Sequence, residues 1–322
     1  MVENQCLLLL NSTPSRLENG EYAGLVVICV ITILFALTAI IGNILVVIAI
    51  IKTPALHSPS YVLLFSLAIS DLGVGFIVQP LHVLLAVWAL QGQKPETFCT
   101  VRILFWFFTA GLSIASYLTI VVISFDRYLA VSLRLQYRLK VTMRRVVGSA
   151  VTQWIVTAIV VGATRGGINS YGFPFAVTAI LIWVISFFIT SFIFFKTIRI
   201  ILNSQAQVQT GLASGIQAQS RDNGFNLGVY KRSVISMLYV YLLYLFCYLP
   251  IVLYFVFLFF LPVHSLFMVW YHEISLSIVL FNSSANPFLY LWRMRDLRKA
   301  VKSLLFGASE EPDSLSTMQS LS

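Results

Sequence analysis

Five polar residues lie inside long apolar runs of the chain, where oxygen donors are costly and therefore informative. Asp71 sits in the run 60–85 with no acidic or basic neighbour in sequence, and Ser116, Asn282, Ser283 and Asn286 lie in two other runs from which they could converge on it. A carboxylate ringed by hydroxyl and amide oxygens suits a small hard cation, and Na+ is the candidate. An Asp held by hydrogen bonds for packing alone is the alternative reading. A second group, Asp126-Arg127-Tyr128, stands at the end of the run 103–131. An acid beside an arginine at a lipid boundary makes a partly desolvated pair that a partner's carbonyl groups can replace; two snorkelling anchors are the plainer reading. Pro250 and Pro287 each delete a helix hydrogen bond, so kinks are expected there. Paired carboxylates, metal-spaced His or Cys clusters and a nucleophile beside a base are all missing from the sequence, so an enzyme is not expected.

These residues need a scaffold, and composition says which kind. With 59% hydrophobic and 10% charged residues among 322, the chain carries too little charge for a soluble domain. Apolar runs near 24–51, 60–85, 103–131, 146–163, 174–201, 234–262 and 266–292 are long enough to cross ~30 Å of hydrocarbon as helices. They are continuous rather than alternating, and a helix satisfies its own backbone in lipid, so helices are predicted rather than a barrel. The expected fold is an all-α membrane protein, a seven-transmembrane helix bundle over residues 24–292. Residues 1–23 would form an extracellular tail, 293–306 a short amphipathic eighth helix on the membrane surface, and 307–322 a disordered cytosolic tail. In 293–306, Met294, Leu297, Val301, Leu304 and Leu305 alternate at helical spacing with Arg295, Arg298, Lys299 and Lys302. The polar stretch 203–228 reads as a mobile loop.

An odd number of spans puts the termini on opposite sides. Arg16, Lys94, Arg102 and Arg165 fall on one side and the rest of the 21 Lys and Arg on the other, which predicts the N-terminus outside and the C-terminus in the cytosol. The net charge of +9 is concentrated in short loops beside the spans, where anionic membrane lipids account for it, and nucleic acid is not an expected partner. Asn11-Ser12-Thr13 is a glycosylation acceptor on the outer side. Cys29 and Cys247 are mid-span, which leaves Cys6 and Cys99 as the outer pair and a candidate disulfide.

In order along the chain, Gly42-Asn43, Leu67-Ala68-Ile69-Ser70-Asp71, Asp126-Arg127-Tyr128, Trp154, Cys247-Tyr248-Leu249-Pro250 and Asn286-Pro287-Phe288-Leu289-Tyr290 resemble the landmarks of the rhodopsin-like (class A) G-protein-coupled receptors. The resemblance runs from the first span through the amphipathic helix. Residues 56–61 and Leu135-Gln136-Tyr137 look most like the melanocortin and adenosine receptor branch. It implies an extracellular small molecule or peptide as ligand and a heterotrimeric G protein as partner, with arrestin and receptor kinases acting on the Ser/Thr-rich tail. No cofactor is implied beyond an allosteric Na+ at Asp71, Ser116, Asn282 and Ser283. The residues implied for coupling and activation are Asp126, Arg127, Tyr128, Leu135, Tyr248, Pro250, Asn286, Pro287 and Tyr290. In such receptors the arginine matching Arg127 is held by its acid while inactive and swings toward the G protein when the sixth helix moves outward, with Leu135 as an apolar plug.

The departures narrow the ligand. Tyr248 stands where the family usually has Trp, and Phe195 where the fifth span usually offers a Tyr facing Tyr290. The family's usual disulfide finds no Cys between residues 163 and 195, and Arg102 occupies the usual position of its other half. Thr109 replaces the aminergic Asp, and the seventh span has no Lys for a retinal Schiff base. Leu81 and Phe105 stand where the melanocortin branch carries acids. The outer halves of the spans leave Gln79, His82, Phe105, Phe108, Thr109, Tyr254 and Glu273 as ligand-pocket candidates. Two other function classes compete: a receptor-like dimerisation partner without coupling, and a transporter or channel, which usually shows repeated halves with broken helices or ionisable residues along a path.

Overall fold

The computed structural model describes residues 19–91, 95–168, 172–213, 227–257 and 266–307. Cys6, Asn11 and the tail from 308 onward lie outside them. Among the described residues, seven helices are long and apolar enough to cross a membrane, and the chain is a multi-pass seven-helix membrane bundle. Span one is Asn19–Lys52; span two is Pro59–Gly73, continued by Val74–Val78 and Gln79–Gln91; span three is Pro95–Leu133. Spans four to seven are Met143–Ile168, Gly172–Ala213, Leu227–Phe257 and Leu266–Arg293, and the terminal helix is Arg295–Phe306.

The outer face of the bundle is apolar, and its buried polar groups lie between the helices. Phe188, Phe192, Phe246 and Phe288 are exposed, while Asn43, Asp71, Gln79, Ser116 and Asn286 are buried. In water such an apolar coat would drive association; against hydrocarbon it costs nothing, and the polar groups find partners only between helices. Span three, 39 residues and therefore ~58 Å long, runs through the middle and packs against spans two, four, five and six. Trp154 Nε1 donates to Ser66 Oγ at 3.1 Å, tying span four to span two.

Two prolines explain local geometry. Pro80 has no N–H for the Phe76 carbonyl one turn earlier, and its ring crowds that carbonyl; span two relaxes there into a π turn over Val74–Val78. Pro287 likewise leaves the Ser283 carbonyl without its helical donor. The Asn43 side chain of span one supplies one, with Nδ2 at 3.1 Å from Ser283 O and 2.9 Å from Ala39 O. Gly42 permits this approach: a Cβ there would lie 2.8 Å from the Pro287 ring.

The predicted loop 203–228 is shorter than expected, because span five stays helical to Ala213 and span six starts at Leu227. Gln, Ala and Leu in 203–213 are good helix formers, and they extend the helix past the apolar run. The terminal helix starts at Arg295 rather than 293, because Met294 is extended (φ −102°, ψ 103°). It buries Leu297, Ala300 and Val301 against the bundle and stops at Gly307, whose φ of 63° is the left-handed conformation glycine adopts freely.

Candidate functional site

At one end of the bundle Arg127 joins three spans. Its guanidinium donates to the neighbouring Asp126 Oδ2, to Ser60 Oγ at the start of span two, and to Ser233 Oγ of span six, the last at 2.7 Å. Arg127 and Asp126 are both buried, so the pair is shielded from water and its charges must be met locally. Ser60 Oγ lies 3.2 Å from Asp126 Oδ2, and Tyr137 OH donates to Asp126 Oδ1 at 2.6 Å from the short helix Tyr137–Lys140 after span three. Burial and the Asp126 charge raise the Tyr137 hydroxyl above the usual phenol range, so it stays a donor. Tyr128, half-buried, packs against Phe125 at 6.3 Å and takes no part in the latch. Leu135 lies in the one-turn helix Arg134–Gln136, entered through a left-handed Arg134 (φ 47°); its side chain lies outside the described ones.

Halfway through the bundle Asp71 is fully buried. Asn286 Nδ2 donates to its Oδ2 at 2.8 Å, while Oδ1 has no hydrogen-bond partner among the described residues. The Ser116 hydroxyl lies 2.9 Å from the Oγ of Ser70, the residue before Asp71 in the chain, and Ser283 lies beside the carboxylate. Among the described residues, the Asn282 Oδ1 and the Tyr290 hydroxyl also find no hydrogen-bond partner. A cavity of about 10 Å³ opens between Ser113, Ser116, Tyr248 and Ser283, about the least that admits one water-sized occupant. An orphaned carboxylate oxygen beside a hydroxyl and an amide fits a hard monovalent cation, and Asn286 belongs to this group through its bond to Oδ2.

Between these two sites runs a ladder of tyrosines. Tyr248 stacks on Tyr244 with ring centroids 4.0 Å apart, and Tyr244 lies 4.9 Å from Tyr117 of span three. Pro250 falls within span six just beyond the ladder. The expectation for span five needs correction: Phe195 is 56% exposed on the outer face, whereas Phe194 is 3% exposed and stacks on Tyr241 at 5.3 Å. Successive residues on a helix differ by about 100° in direction, so only one of two adjacent rings can point inward.

At the opposite end the pocket candidates divide. Gln79 Nε2 is committed to the Leu280 carbonyl at 3.2 Å and Thr109 Oγ1 to its own Phe105 carbonyl at 2.6 Å. Phe108 packs with Phe105 in the apolar cluster of spans two, three and seven. His82, Tyr254 and Glu273 do meet, around a residue that sequence reasoning missed. Glu273 accepts from His82 Nε2 at 3.2 Å and from His272 Nδ1 at 3.1 Å, and Tyr254 packs on the His272 ring at 4.9 Å. A His-Glu pair in an apolar run was the available signal for His272. Ser60, Tyr137 and Ser233 offered none, because a hydroxyl near a boundary is common. Cys99 is disulfide-bonded, and Cys29 and Cys247 are free buried thiols.

Comparison with known proteins finds similarity over part of the chain. A family model for the 7 transmembrane receptor (rhodopsin family) matches residues 42–165. The alpha-2C adrenergic receptor of Didelphis virginiana is 32% identical over 155 residues, 47% of this chain and 31% of the relative. The adenosine receptor A3 of Canis lupus familiaris is 29% identical over 153 residues, 48% of this chain and 45% of the relative. The dopamine receptor 4 of Caenorhabditis elegans is 36% identical over 127 residues, 38% of this chain and 23% of the relative. In each case the match spans less than half of the relative's length. With seven spans, the Asp126-Arg127 pair at one end and Asp71 at the centre, the chain is similar, over residues 42–165, to the 7 transmembrane receptor (rhodopsin family).

Proposed function

We propose that the chain is a plasma-membrane receptor, and not an enzyme, that carries an extracellular small-molecule or peptide signal to a heterotrimeric G protein. In this reading the N-terminus with Asn11 is outside, Cys6 closes the disulfide to Cys99, and the Arg127 end faces the cytosol. The observation that carries it is the Arg127 latch. One guanidinium holds spans two, three and six together through hydroxyls and one carboxylate, so an outward shift of span six breaks the 2.7 Å bond to Ser233 and frees donors for the G protein. Hydroxyl contacts are weaker than a second ion pair, which makes the latch easy to open. Leu135 would be the apolar plug, Lys231, Arg232 and Arg298 would face the acidic partner, and the Ser/Thr-rich tail would serve receptor kinases and arrestin.

Na+, when bound, would be held by Asp71 with Ser116, Asn282, Ser283 and Asn286, neutralising the buried carboxylate and holding spans two, three and seven in one arrangement. Expression with a panel of chimeric G proteins, while screening amines, peptides, lipids and nucleosides, tests the reading, with Arg127→Ala as control. Coupling to at least one chimera that is lost in Arg127→Ala supports it. Surface-expressed protein that activates none of them, with every ligand class, refutes it.

A further inference from the structure

We propose that His272 is a proton-binding site at the end of the bundle opposite Arg127, and that its protonation draws spans three, six and seven together, which makes external acid a ligand of this receptor. The signalling half of this statement rests on the receptor reading; the proton site does not.

The geometry starts with one carboxylate shared by two imidazoles. A carboxylate only accepts, so His272 Nδ1 and His82 Nε2 must both be donors to Glu273, at 3.1 and 3.2 Å. The imidazole is the side chain whose charge changes between about pH 5 and 8, and the two rings are not equal stores for the added proton. His82 stacks against Phe105 at 5.6 Å, and its Nδ1 is buried with no partner among the described residues. Protonating that nitrogen would bury an N–H with nothing to accept it. The His272 side chain is 17% exposed against 6% for His82, and its surroundings favour a cation. Glu273 lies on one side, and the rings of Trp106 of span three and Tyr254 of span six pack on it at 5.8 and 4.9 Å. A cation within ~6 Å of an aromatic centroid is attracted to the ring.

Among the described residues, the other ionisable groups that feel the Glu273 charge are Cys29 of span one, Arg102 of span three and Tyr254 of span six; Tyr271 stacks on Tyr254 from span seven. Arg102 is the one cation among them. It already offsets Glu273, so one proton leaves the cluster with a single net positive charge and a second is opposed by both. A single uptake is therefore expected, at the more exposed ring. An imidazolium at His272 gathers Trp106 and Tyr254 toward span seven. Tyr254 and Ser233 lie on opposite sides of Pro250 in span six, so drawing the Tyr254 end inward swings the Ser233 end away from Arg127.

The test uses the full chain purified into lipid nanodiscs, with thermal unfolding followed by the reactivity of the free thiols Cys29 and Cys247 between pH 8 and pH 5. The wild type is expected to unfold at a higher temperature in acid. His272→Gln should abolish that rise, and His272→Phe, which keeps a ring without a proton, serves if the Gln variant does not fold. An unchanged rise in both variants, or a wild type that acid destabilises or leaves unmoved, overturns the proton site. In cells, agonist-independent signalling should rise by ~5-fold or more from pH 8 to pH 6 in the wild type and stay flat in His272→Gln; a fall, or the same response in both, overturns the proposed coupling. A nanodisc response that depends on His272 without G-protein signalling at any pH keeps the proton site and refutes the receptor reading.

Discussion

Removing the Asn43 amide should destabilise the bundle because of a proline 244 positions away in sequence. Pro287 cannot donate to the Ser283 carbonyl, and Asn43 Nδ2 takes its place at 3.1 Å while also serving Ala39 O at 2.9 Å. Asn43 is 0% exposed, so no solvent can replace it. A single interhelical hydrogen bond in a membrane is worth on average ~0.6 and at most ~1.7 kcal/mol, since separated helices find other partners. Two bonds from one fully buried amide put Asn43→Ala near the upper end, about 1.5 kcal/mol. Pro287→Ala restores the backbone N–H that Ser283 lacks. In that background Asn43→Ala should cost at least ~0.5 kcal/mol less, a coupling that additive effects would not produce. The assay is thermal unfolding of the purified protein, read by a thiol-reactive dye at Cys247 and Cys29, both buried and free in the folded state. If the two substitutions add without coupling, Asn43 is not standing in for the missing donor and the reasoning fails.

Three further outcomes follow from the same geometry. Phe194→Tyr places a hydroxyl beside Tyr241 in the cluster that contains Tyr290 and should raise agonist-independent signalling, whereas Phe195→Tyr, on the outer face, should leave it unchanged; the reverse pattern would show that Phe195 is the inward ring. Ser233→Glu turns the 2.7 Å contact to Arg127 into a charge-assisted one, about 1 kcal/mol stronger and thus a ~5-fold drop in basal signalling, while Ser233→Ala should raise it; equal basal signalling in all three proteins contradicts the latch. Tyr137→Phe removes the 2.6 Å bond to Asp126 and should cost about 1 kcal/mol. Because the Tyr137 pKa is raised by folding, the hydroxyl's contribution is complete below the unfolded phenol's ~10 and fades only as pH rises above it. The difference between wild type and variant, measured by unfolding at pH 6 and pH 9, should therefore be the same.

Much of the architecture was legible in the residues themselves. A helix must be apolar for the thickness of the bilayer to cross it, so run length located all seven spans, although spans three and six begin well before the expected runs, at Pro95 and Leu227, and span five continues as a polar helix to Ala213. The charges and prolines that stood out in those runs, Asp71, Arg127, Pro250 and Pro287, stood out because lipid makes each of them costly. What the sequence could not decide is which side chains meet across the bundle. Asn43 and Ser283 are 240 residues apart, Arg127 and Ser233 106, and Asp126 and Ser60 66; helix tilt and packing set those contacts, and no local pattern encodes them. The same holds for direction around a helix: Phe194 and Phe195 are chemically alike neighbours, and only the placement of span five against span six turned one to the core and the other to lipid. His272 drew no reading from the sequence, because Trp106 of span three and Tyr254 of span six meet it only in the folded bundle.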